Sequence, residues 1–113
     1  MPISFSNADI QLGNAATTLL SSSIGVSLSI TRCTLTNYDT VDHNVTLYRV
    51  NSGETPGSNN ELLSPAAYPG LIKAGETQAL PLTGHNLVNG QAFYGMADTA
   101  NVVNVSFSYV IQS

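Results

Sequence analysis

The stretch VVNVSFSYVIQ, residues 102–112, alternates with a period of two over nine consecutive positions. Val103, Val105, Phe107, Tyr109 and Ile111 fall on one face, and Asn104, Ser106 and Ser108 on the other. Such alternation fits a strand buried on one side and wet on the other, and Val, Phe, Tyr and Ile favour that pleated surface. Two is the dominant period of the chain, with residues 1–23 less regular and 51–70 different. No segment of ten or more residues repeats every 3.6, and Ala, Leu, Glu and Lys do not cluster as in a helix.

IGVSLSITRCTLTN begins in phase at Ile24, Val26, Leu28 and Ile30, then shifts to Cys33 and Leu35. A phase change inside one strand predicts either a β-bulge near residues 31–33 or a strand that passes from one environment to another, with Arg32 free to point outward. NVTLYRV places Val45 and Leu47 opposite Thr46, Tyr48 and Val50. Apolar bulk on both faces predicts a strand covered on both sides. Residues 51–70 are dense in Gly, Pro, Ser and Asn and read as a long surface connection anchored by Leu62 and Leu63. Turns are expected at Ala74-Gly75-Glu76, at Asn89-Gly90 as a hairpin signal, and at residues 98–101. A strand is expected through Leu80 and Leu82, with Pro81 marking an edge or bulge.

With turns every 8 to 12 residues, the pattern predicts an all-β, single-domain antiparallel β-sandwich, jelly-roll or Ig-like, of about seven or eight strands. The domain spans residues 1–113, with 1–23 as a looser N-terminal arm or strand. A chain of this length buries roughly two thirds of its unfolded surface and needs no disulfide or metal to fold. The single cysteine, Cys33, reads as a buried free thiol.

Charge narrows the function. Arg32, Arg49 and Lys73 stand against seven carboxylates. Three scattered cations make no footprint for phosphates, so direct nucleic-acid binding is not expected. Ser, Thr and Asn supply 35 of the 113 residues, a neutral polar surface that can pack on neighbours without burying charge. No apolar run approaches the roughly 20 residues of a membrane span, and MPISFSNADI has neither the basic start nor the apolar core of a secretory signal. The sequons at Asn44 and Asn104 are accordingly read as chance matches.

Asp39, Asp42 and His43 crowd one polar tip, NYDTVDH. Carboxylates and imidazole are metal ligands, yet adjacent Asp42 and His43 would point to opposite faces of an extended chain, and no calcium-loop spacing is present. The tip therefore reads as a turn, with Asp39 and Asp42 bonding backbone amides and His43 opening the return strand. His85, in LTGHNLVNG, reads as a surface-loop histidine. No nucleophile elbow accompanies either histidine, and GETPGSNN lacks the Gly-Lys-Ser/Thr ending of a phosphate loop. No catalytic residue, cofactor or metal is expected. Tyr38, Tyr68 and Tyr94 are candidates for an exposed aromatic platform of the kind that stacks on sugars.

The elements Thr36-Asn37, Val45-Thr46-Leu47, Ser52-Gly53, Ala74-Gly75-Glu76-Thr77, Leu80 with Leu82, Gly90-Gln91 and 100–105 (ANVVNV) follow one another in a recognisable order. Over residues 30 to 111 the chain resembles a group of small all-β virion proteins of tailed bacteriophages. SSSIGVS stands where that group often carries a VPAG-like turn. The resemblance implies a non-enzymatic structural component present in multiple copies: a capsid decoration protein first, with a head-to-tail or tail accessory protein, or a piece of a fibre or its attachment, within the same class. It further implies binding to other virion proteins and to copies of itself, and a place in a virion assembled in the host cytoplasm. On this reading Tyr38, Asp39, Asp42, His43 and Tyr68 are interface candidates. The alternative is a tail- or fibre-associated carbohydrate- or receptor-binding module using the three tyrosines, and an enzyme built on His43 or His85 is the third reading.

Overall fold

The structure, a computed structural model, describes residues 3–57, 59–63, 71–80 and 85–112. Among them lie ten strands and no helix: β1 (Ile3–Gln11), β2 (Thr17–Ser21), β3 (Ser27–Asn37), β4 (His43–Val50), β5 (Glu61–Leu63), β6 (Leu71–Ile72), β7 (Thr77–Ala79), β8 (Asn86–Val88), β9 (Ala92–Ala97) and β10 (Val103–Gln112). One sheet runs β1-β10-β3, with β7 and β8 both on the far side of β3. The second runs β2-β9-β4, with β5 and β6 both on β4. Every pairing is antiparallel.

β7 and β8 occupy opposite ends of β3, against Thr34–Thr36 and Ser27–Ser29, and β5 and β6 divide β4 in the same way. Each split pair fills one strand position. The eight positions then order as 1-8-3-6 and 2-7-4-5, the arrangement of a jelly roll rather than an Ig-like sandwich. The expected seven or eight strands correspond to these positions. The larger number arises because two outer positions are broken into pieces of two or three residues.

The period-two face of β10 is buried as its spacing dictates. Val103, Val105 and Phe107 are fully buried, with Tyr109 and Ile111 half-buried against the same core. Phe107 stacks on Phe93 of β9 in the opposite sheet, with ring centroids 5.7 Å apart and planes within 9°. Each such side chain contributes about 1.5–3 kcal/mol by leaving water. The phase shift in β3 is a bulge: Ser108 lies opposite Arg32 and Tyr109 opposite Ile30. Thr31 is the extra residue, its hydroxyl donating to the Ser108 carbonyl at 3.0 Å, and Arg32 points outward. β4 is covered on both faces. Val45 and Leu47 enter the main core, and Tyr48 and Val50 form a second cluster with Ala92, Ala16 and Tyr94.

Four expectations need correction. Ile24 is 89% exposed in a turn, so the apolar phase of β3 starts two residues later, at Val26. Asn89 and Gly90 both have positive φ, 51° and 88°, as a type I′ turn requires. The turn nevertheless carries β8 of one sheet into β9 of the other, so it is a corner of the sandwich and not a hairpin. The connection after β4 is not strand-free, since Glu61–Leu63 returns to pair with Leu47 and Tyr48. The strand expected through Leu80 and Leu82 is β7, which ends at Ala79 just before buried Leu80, while Pro81 and Leu82 lie outside the described residues.

Candidate functional site

The polar tip sits where β3 ends and β4 begins. Asn37, the last residue of β3, is fully buried, and its side-chain amide donates to the carbonyls of Val41 (2.9 Å) and Ile72 (3.0 Å). Its side-chain oxygen accepts the Asp39 amide at 2.9 Å. One asparagine thus folds the tip back on itself and ties it to β6, satisfying three backbone groups that burial would otherwise strand. Asp39 accepts the Thr40 amide at 2.7 Å, and Asp42 accepts the Ala74 amide at 2.9 Å, fastening the tip to the turn between β6 and β7.

Within this frame His43 is only 5% exposed and lies between two carboxylates. Its Nε2 is 2.7 Å from Asp39 Oδ2 and its Nδ1 is 2.6 Å from Asp98 Oδ1. The second carboxylate arrives from the turn after β9, because β4 and β9 pair with Val45 opposite Ala97. The other oxygen of Asp98 accepts the Asn44 amide at 2.9 Å, and the Asp98 amide donates to the Asn44 carbonyl at 2.9 Å.

A carboxylate has no hydrogen to donate, so both ring contacts are hydrogen bonds only when both ring nitrogens carry protons. The geometry therefore describes an imidazolium clasped by two anions. The Asp39 hydrogen bond raises the His43 pKa most; burial opposes it, and the Asp98 hydrogen bond and the charges of both carboxylates reinforce it. His43 in turn holds Asp39 below the ordinary carboxylate range, helped by the Thr40 amide. For Asp98, burial pushes the carboxyl up, but the Asn44 amide and the His43 hydrogen bond and charge outweigh it and leave the pKa lowered.

This arrangement binds strands together and offers little to a substrate. An imidazolium with both nitrogens engaged has no lone pair for a proton or a metal. Of the sequence candidates, the structure brings Asp39 and His43 into direct contact and places Asp42 on a separate amide, with Tyr38 67% exposed beside them. His43 is buried; among the described residues the exposed apolar groups of this end are Tyr38, Val41 and Leu71. Tyr68 lies outside the described residues. Asp98 was legible only as a turn residue, since nothing local in DTAN signals that the turn returns to the start of β4.

Tyr94 is half-buried against Tyr48 and Val50, so it does not join Tyr38 in an exposed platform. His85 is half-buried, its ring tilted on Phe93 at 6.4 Å. It borders a cleft of about 340 Å³ together with Arg49, Asn51, Glu54, Asn60 and Glu61. Arg49 Nη2 donates to the Asn86 carbonyl and to Gln91 Oε1 at 3.2 Å, its buried Nε has no hydrogen-bond partner, and two carboxylates in the same wall oppose an anion. Cys33 is 1% exposed, and burial pushes its thiol up to about 12.

No protein-family model matches the chain. No curated protein matches it either. Among solved structures, the chain is similar to a subunit from a Bacillus structure described as "Bacillus endospore appendages form a novel family of disulfide-linked pili". The two share 13% identity over 97% of this chain and 84% of that one, with a TM-score of 0.52. At that identity the likeness concerns the fold: this chain has the β-sandwich architecture of that subunit.

Proposed function

We propose that this protein is a non-enzymatic structural subunit of a bacteriophage particle, a capsid decoration or accessory protein that packs on other virion proteins and on copies of itself. The observation that carries the reading is what the fold does with its ionisable groups. The one Asp-His-Asp cluster among the described residues is consumed in bracing the sandwich. What remains outside is mostly neutral polar surface with scattered single charges and, at the two ends of β3, apolar groups. Tyr38, Val41 and Leu71 are exposed at one end, and Ile3, Phe5, Ile24 and Val88 near the other. Exposed apolar groups rimmed by Ser, Thr and Asn suit contact with protein.

Two analogies add support. Jelly rolls recur in capsid proteins, and the similar Bacillus subunit comes from a pilus. The resemblance of residues 30 to 111 to phage virion proteins supplies the particle. Co-sedimentation tests the reading: in a density gradient of purified particles, an antibody against this chain should find it banding with them. Recovery of the chain wholly in the soluble fraction would contradict it. The carbohydrate- or receptor-binding alternative has less behind it, because Tyr94 is packed inward and Tyr38 stands alone among the described tyrosines.

A further inference from the structure

We propose that β1 is an assembly edge, pairing antiparallel with β1 of a second copy about a two-fold axis so that two sheets join into one. This rests on the self-association in the reading above and adds where and how it occurs.

The backbone fixes which groups are available. The Leu12 amide donates to the Val103 carbonyl at 2.8 Å, and the Leu12 carbonyl accepts the Asn101 amide at 3.0 Å, so Leu12 faces β10. Successive residues of a strand turn their N–H and C=O to opposite sides. Ser4, Ser6, Ala8 and Ile10 therefore bond β10, while Ile3, Phe5, Asn7, Asp9 and Gln11 present theirs to the open edge. Gly13 confirms the parity: its carbonyl turns away from β10 and accepts the Ala97 amide of β9.

Edges of this kind are ordinarily blunted by Lys, Pro, a bulge or brevity. β1 has none of these: Ile3–Gln11 contains no Lys, Arg or Pro, and its nine residues pair with β10 in unbroken register. Every other outer strand among the described residues is short. β2 has five residues and a register shift, β5, β7 and β8 have three each, and β6 has two. A nine-residue ladder of open amides and carbonyls is matched in length, within this chain, only by another β1. That match selects a second copy as the occupant.

The side chains agree. The odd-numbered residues also share the outer face, where Asn7 and Asp9 accept the Ser108 and Ser106 hydroxyls. Phe5 is 82% and Ile3 59% exposed, leaving an apolar spot at the edge. In a pairing centred on Ser6, which joins Ile3 to Asp9 of each copy, Phe5 lies opposite Asn7 of the second copy and diagonal to its Phe5, within aromatic reach. Asp9 then faces Ile3 and not the other Asp9, so no like charges meet.

Sedimentation equilibrium of the full chain tests this with two variants. Asn7→Pro removes an amide that the intramolecular ladder does not use, and Phe5→Lys adds an edge charge at an exposed position. The wild type should be dimeric, and each variant should weaken the dimer by at least about tenfold with an unchanged β-sheet circular dichroism spectrum. Should Asn7→Pro fail to fold, Phe5→Lys alone decides. A wild type that self-associates with both variants unaffected overturns the edge pairing and leaves self-assembly through another face. A wild type that stays monomeric overturns both, including the case in which a strand from a different protein covers β1.

Discussion

A buried imidazole between two carboxylates makes the stability of this protein depend on pH in a definite direction. His43 has a pKa raised above its ordinary 6.5, so its contribution is complete below 6.5 and is lost as pH rises through the raised value. Asp39 and Asp98 are lowered from 3.8, so theirs is complete above 3.8 and is lost as pH falls through the lowered values. Stability should therefore peak between about 4 and 6.5 and decline on the alkaline side. His43→Gln should lower the melting temperature at pH 5 and flatten that alkaline decline. Thermal melts of both proteins from pH 4 to 9 check this, and an equally steep decline in the variant would refute the clasp. Cys33 gives a second residue-level expectation. With its thiol pushed up to about 12 and 1% exposed, it should not react with a thiol reagent at pH 8 until the chain unfolds, and one equivalent should then appear.

At the scale of elements, the long strands were legible in the sequence because one face of each meets a continuous core. β10 shows this most plainly, and the bulge at Thr31 was visible as a slip in the same period. The short pieces β5, β6 and β8 escaped because two or three residues carry no period; they are strands only because β3 and β4 offer edges to pair with, and β7 was expected but displaced by a few residues. Asn89-Gly90 was legible as a turn type but not as a corner, since φ values say nothing about which sheet receives the next strand. The clasp was half legible: Asp39 and His43 are neighbours in sequence, whereas Asp98 joins them through the pairing of β4 with β9. That pairing also leaves no room for a side chain at Gly95 unless two leucines shift. A Cβ there would lie 2.6 Å from Leu47 Cδ2 and 2.7 Å from Leu19 Cδ1, so Gly95→Ala should destabilise by about 1–3 kcal/mol. Urea unfolding measures it, and an unchanged midpoint would show that the two leucines can move aside.

At the scale of the whole molecule, the sandwich resembles a pilus subunit whose assembly is described as disulfide-linked, yet its chemistry differs at that point. The only cysteine here is buried in the core and out of reach of another copy. This buried thiol cannot link one copy to another, so reductant should leave any assembly of copies intact. A building element of a phage particle, as proposed above, has to be present there in stoichiometric amount. Quantitative mass spectrometry of gradient-purified particles, with an isotope-labelled copy of the chain as standard, should find many copies per particle in a fixed ratio to the major capsid protein. Absence of the chain from the particles, or a trace amount varying between preparations, would rule out a structural role in them.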